Sequence, residues 1–141
     1  MAPRIWRRLF GRGAPAPLNP ARADLVVVAA GFDDAESCSA VLNRAEGLTE
    51  DAPAVLRHHL RIPAAQVERV CEIAAQDGYA PVPPTAAAQG ELEALILQRV
   101  QLVDALHCAQ EKSRMAGLAQ RHDGFADGWD VLQPGPAIAP R

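Results

Sequence analysis

At 141 residues with a formal net charge of −3, the chain has the size of one domain able to bury a core without metal or disulfide support. The charge is uneven. Arg4, Arg7, Arg8, Arg12 and Arg22 fall within residues 1–22, where no acid occurs, and all 17 acidic side chains lie in the remainder. An acidic body argues against a nucleic-acid-binding surface, which needs clustered Lys and Arg to neutralise phosphates, and suits a basic protein partner. Cys38, Cys71 and Cys108 are an odd number set in apolar, helix-like runs, as expected of buried free thiols in a reducing cytosol. No apolar run approaches the about 20 residues needed to cross a bilayer, so a soluble, cytoplasmic protein is expected.

Residues 1–23 read as a basic, proline-rich tail. Trp6, Leu9 and Phe10 beside Arg7 and Arg8 suit one or two amphipathic turns, able at most to touch an anionic surface weakly. Gly11 to Gly13 and Pro15, Pro17 and Pro20 then keep the chain extended. Otherwise the segment is a disordered start. The domain proper is expected over residues 24–133, followed by a loose tail over 134–141.

Leu25 to Ala30 is β-branched and bounded by Gly31, which suits a strand or a helical turn. Asp33 and Asp34 predict the start of a helix running to about Glu46, with Gly47 as its left-handed cap and Cys38, Val41, Leu42 and Ala45 as its apolar stripe. Ala54–Ile62 is the clearest strand. Leu56, His58, Leu60 and Ile62 face one way, and Val55, Arg57, His59 and Arg61 the other. Pro63 begins a helix over residues 64–76 with the stripe Val67, Val70, Cys71 and Ala74, closed by Asp77-Gly78. Tyr79 to Val82 holds a proline and suits an edge strand, and residues 83–90 read as a loop.

Leu92–Val103 is a long strand candidate with a helical rival. A helix over residues 106–121 and a last strand over residues 125–132 follow. From His58 onward the order is β-α-β-β-α-β, the split βαβ arrangement. It gives an α+β domain whose antiparallel sheet carries helices on one face and leaves the other open.

None of the titratable residues forms a catalytic kit. His58 and His59 point to opposite faces of a strand and cannot chelate one ion together. His107 and Cys108 diverge in the same way on a helix. No metal, cofactor or catalytic residue is therefore assigned. His58 is expected to be a hydrogen-bonded core histidine and His59 a surface residue. Asp123, Asp127 and Asp130 suit turn hydrogen bonds and solvated charge rather than acid–base chemistry. Trp129 suits a core plug or an interface anchor.

Four runs carry a resemblance: Leu56-Arg57-His58-His59-Leu60 before a helix, Asp77-Gly78-Tyr79, Leu118-Ala119-Gln120-Arg121, and Asp127-Gly128-Trp129 on the last strand. Their order and separation over residues 34–133 are similar to the regulator of ribonuclease E activity B (RraB-like) family. Ala126 stands where that family carries an aromatic, and Phe125 lies one place earlier. Neighbours on a strand face oppositely, so Phe125 takes over that role only through a bulge. The resemblance implies a ferredoxin-like fold and a non-enzymatic regulator that binds and inhibits a ribonuclease E-type endoribonuclease. It marks His58, His59, Gly78, Tyr79, Asp127, Gly128 and Trp129 as structural or interface residues. The alternative is a protein- or small-ligand-binding module of the same fold with another partner.

Overall fold

The computed structural model describes residues 17–83 and 90–135. The amphipathic turns expected around Trp6, most of the loop over residues 83–90 and most of the C-terminal tail lie outside these. In chain order the elements are β1 (Leu25–Gly31), α1 (Cys38–Arg44), β2 (Ala54–Pro63), α2 (Ala64–Ala75), β3 (Ala80–Val82), β4 (Leu92–Gln101), α3 (Ala105–Gln120) and β5 (Phe125–Pro134). The α+β class expected is the class observed. All strand pairs are antiparallel, in the order β1-β5-β2-β4-β3, so β2 lies at the centre.

Two open expectations are decided by pairing. Leu25 to Ala30 is a strand because it pairs along β5, from Leu25 opposite Pro134 to Gly31 opposite Trp129. Residues 92–101 are a strand because ten residues of β2 pair with them in unbroken register. Helix propensity loses there to a ladder that satisfies the backbone groups of both strands.

The period-2 pattern of β2 works as read. Leu56, Leu60 and Ile62 are buried beneath the helices, and His58 lies among them. Two apolar clusters fill this side of the sheet. Cys38, Val41 and Leu42 of α1 close over Leu56, Trp129 and Val131. Val70 and Ala74 of α2, with Met115 and Leu118 of α3, close over Leu60, Ile62, Leu95 and Leu97. Cys108, in the second turn of α3, joins the first cluster, so α3 ties the two together.

Helix α1 departs from expectation at both ends. It is capped by Ser37, whose Oγ accepts from the Ala40 N–H at 3.1 Å. Asp33 is committed elsewhere: its Oδ1 accepts from the Ala35 N–H at 2.9 Å, an Asx turn that carries the chain away from β1. The helix ends at Arg44 with an extended Ala45, and Gly47 has no capping role. Helix α2 ends as its sequence suggests. Gly78 adopts φ +85°, with Gly78 N–H bonded to Ala75 O and Tyr79 N–H to Ala74 O, the paired bonds of a Schellman cap. Helix α3 ends with the same bonding, but Asp123 takes the left-handed conformation (φ 64°) rather than the glycine beside it.

Strand β5 runs past its expected end to Pro134 and is bulged against β2. His59 pairs with Gly128 and Leu60 with Ala126, leaving Asp127 as the extra residue. This bulge lies beyond Phe125 and does not turn it inward. Phe125 pairs with Arg61 on the face opposite the helices, and Ala126 packs against the second apolar cluster. Phe125 therefore stays on the face away from the helices, about half exposed.

Candidate protein-binding face

The two histidines of the Arg57-His58-His59 run belong to two separate polar clusters, one on each face of the sheet. On the helix side, His58 is only 2% exposed. Its Nε2 lies 3.4 Å from the Tyr79 hydroxyl, which donates to Glu111 Oε1 at 2.7 Å. Arg114 Nε donates to the same oxygen at 3.2 Å, and Arg99 Nη2 lies 3.5 Å from Glu111 Oε2. The Arg99 guanidinium also sits 4.5 Å from the centre of the Tyr79 ring and bonds Asp77 O and Gln101 Oε1.

Desolvation lowers the His58 pKa to about 4, the nearby Glu111 charge opposing it only in part, so the imidazole is neutral at pH 7. Burial pushes the Glu111 carboxyl up. The Tyr79 hydroxyl together with Arg99 and Arg114 outweighs that and holds it below the ordinary value. Burial and the Glu111 hydrogen bond raise the Tyr79 phenol. Converging groups with shifted pKa values are one mark of an active site, but structural ion-pair networks shift them too. His58, Tyr79 and Glu111 are all buried, in the position of a polar tie between β2, β4 and α3.

Trp129 pairs with His58 across the ladder on this same side and is 1% exposed, packed with Leu56, Val131 and the α1 residues. Of the motif residues, His58, Gly78, Tyr79 and Trp129 are thus built into the helix side. His59, Asp127 and Gly128 fall on the other.

That other face carries a second array. The Arg57 guanidinium holds Asp130 through two hydrogen bonds, Nε to Oδ1 at 2.7 Å and Nη2 to Oδ2 at 2.6 Å. His59 Nε2 lies 3.2 Å from Asp130 Oδ2, close enough for an ion pair on protonation but without hydrogen-bond alignment. Burial pushes the Asp130 carboxyl up, and the hydrogen-bonded Arg57 guanidinium, with His59 beside it, brings it below the ordinary carboxylate range. One strand step on, Arg61 Nε bonds the bulged Asp127 at 2.9 Å. Asp130 is buried and Asp127 is paired, so neither is the solvated charge expected, and His59 is half-buried rather than a surface residue.

The Phe32 ring closes over His59 edge-on, with centroids 5.0 Å apart. It does so because residue 128 is glycine: a Cβ there would stand 2.5 Å from Phe32 Cδ1 and 2.6 Å from Gly31 O. Phe125 flanks the array on the Arg61 side. Val55 and Ile96 are buried on the same face.

Arg57, Arg61, Asp130, Phe32 and Phe125 escaped the sequence reading as site residues. The alternation of Arg57, His59 and Arg61 along β2 already put three basic groups on one face. Nothing local announced which acids lay opposite, since that depends on a register shifted by the Asp127 bulge. Among the described residues, no group of three or more His, Cys, Asp or Glu is placed to hold a metal ion, and no helix is long and apolar enough to cross a membrane. No protein-family model matches the chain, and no curated protein is significantly similar to it.

Proposed function

We propose that this is a non-catalytic, ferredoxin-like binding domain that meets a protein partner with the face opposite its helices. The partner we propose is a ribonuclease E-type endoribonuclease that it inhibits in the cytoplasm. The order β5-β2-β4-β3 joined by α2 and α3 supports the fold reading, with β1 an added strand beside β5. The partner rests on the RraB-like runs at Leu56–Leu60, Asp77–Tyr79 and Asp127–Trp129.

One observation carries the choice of face. Among the described residues the aromatic side chains are Phe32, Tyr79, Phe125 and Trp129. Tyr79 and Trp129 are buried on the helix side, whereas Phe32 (52% exposed) and Phe125 (44%) bracket the opposite face. Exposed aromatic rings around a desolvated centre are what interface anchors look like. Both arginines between them are bonded to aspartates of the same chain, which favours a protein partner over a phosphate backbone.

The test is a pull-down of a purified ribonuclease E-type enzyme with the full chain, followed by RNA cleavage at rising chain concentration. Stoichiometric binding and a slowed cleavage are expected. Retention of full cleavage activity at saturating chain would exclude the inhibitor reading.

A further inference from the structure

The three helices close over one face of the sheet, yet the centre of the other face is shielded from water as well. Val55 is 1% exposed and Ile96 2%, and neither belongs to the apolar clusters beneath the helices. Beside them on β2, the side chains of Arg57, His59 and Arg61 are only 19%, 16% and 11% exposed. On an uncovered sheet face, long basic side chains keep their charged heads in water even when ion-paired. The rim behaves as such a face should, with Val27, Phe32 and Phe125 about half exposed. The Phe32 ring accounts for the cover over His59. Val55 and Arg61 lie roughly 20 Å apart along β2, beyond the reach of one ring.

We propose that this face is covered by the N-terminal segment of the same chain, residues 1–16, which precede the described residues. The burial arises within a single chain, so neither a second copy nor a foreign partner is needed to produce it. Among the residues beyond those described, this stretch alone carries the apolar bulk. Residues 84–89 read Pro-Thr-Ala-Ala-Ala-Gln, and residues 136–141 offer one large apolar side chain, Ile138. Ile5, Trp6, Leu9 and Phe10 fall on one side of a helical period, with Arg4, Arg7 and Arg8 on the other. The apolar side suits Val55 and Ile96, and the arginines are left to solvent. The point of entry also fits. Leu25 pairs with Pro134 and Val55 with Leu132, so β1 begins at the end of the sheet where Val55 lies. Only β5 separates β1 from β2, a distance of roughly 10 Å that residues 17–24 can span. The consequence for function rests on the protein-binding reading. The segment occupies the face assigned to the partner, and the partner must displace it.

The test compares the isotope-labelled full chain with its Trp6→Glu/Phe10→Glu variant by NMR. In the wild type, nuclear Overhauser contacts are expected from the Trp6 and Phe10 rings to the methyls of Val55 and Ile96. The variant should lose them and shift those methyls while leaving Leu56 and Leu60 in place. A synthetic peptide of residues 1–16 added to the variant should restore the shifts. Absence of Trp6 and Phe10 contacts, contacts from residues 86–88 instead, or contacts only between differently labelled copies would each overturn the proposal. Ribonuclease affinity should rise at least tenfold in the variant, because the competing segment is gone. Contacts present with unchanged affinity keep the cover and remove this face from the partner reading. A ribonuclease that binds a chain lacking the Trp6 contacts does the reverse.

Discussion

The Tyr79 hydroxyl donates to Glu111 at 2.7 Å across the helix–sheet interface, tying the residue that follows the α2 cap to the middle of α3. The bond anchors an ionised carboxylate that would be costly to bury alone, and Arg99 and Arg114 supply the compensating charge. Tyr79→Phe leaves Glu111 short of one donor while preserving the ring under Arg99. The expected loss is about 1.5–3 kcal/mol, the range for a hydrogen bond to a charged group. Urea unfolding of the two proteins measures it, and an unchanged midpoint would show the bond to be dispensable.

His58 makes stability depend on pH. The unfolded chain protonates this imidazole near 6.5, and the folded chain resists until about 4. Between those values unfolding takes up a proton, so the His58 contribution to stability declines as pH falls from 6.5 to 4 and levels off below. The depth is up to about 3 kcal/mol from the size of the shift. Thermal melts from pH 7 to 4 should show the decline, and His58→Gln should flatten it in that window. The carboxyls of Glu111 and Asp130, held below their ordinary values, contribute stability that is lost at lower pH still.

Trp129→Ala should cost roughly 3–5 kcal/mol, since it empties the centre of the cluster formed by Leu56, Val131 and α1. Partner binding would then be lost through unfolding. A Trp129→Ala protein that melts like the wild type but no longer binds would contradict the core assignment.

Phe32→Ala and Phe125→Ala should leave the melting temperature nearly unchanged, as both rings are about half exposed. Each should weaken partner affinity at least tenfold if these rings anchor the interface. Calorimetric titration against the ribonuclease separates the two effects.

Asp130→Asn keeps the shape of the side chain but removes the charge that holds Arg57. A loss of about 1–3 kcal/mol is expected, because the guanidinium is left half-buried beside a weaker acceptor. A double-mutant cycle with Arg57→Met isolates the pair, and additive effects would show that the two are uncoupled.

The alternation of β2, the apolar stripes of α1 and α2 and the glycine that ends α2 were all legible locally, because each follows from a repeat of 2 or 3.6 residues or from a single backbone conformation. The burial of Trp129 was one of two readings that its environment left open. The start of α1 was not legible. Asp33 and Ser37 are both good caps, and only the Asx turn leaving β1 decides that Ser37 does the capping.

The sequence by itself determined which side chains of β2 share a face, and hence that His58 and His59 must part company. The tertiary structure alone decided what each histidine meets: Tyr79 and Glu111 behind the sheet, Asp130 and Phe32 in front of it. The reason is physical. Facing direction is a property of one strand, repeating every two residues. Partnership across β2 and β5 depends on register between segments some seventy residues apart, and one extra residue at Asp127 resets that register for everything before it on the strand.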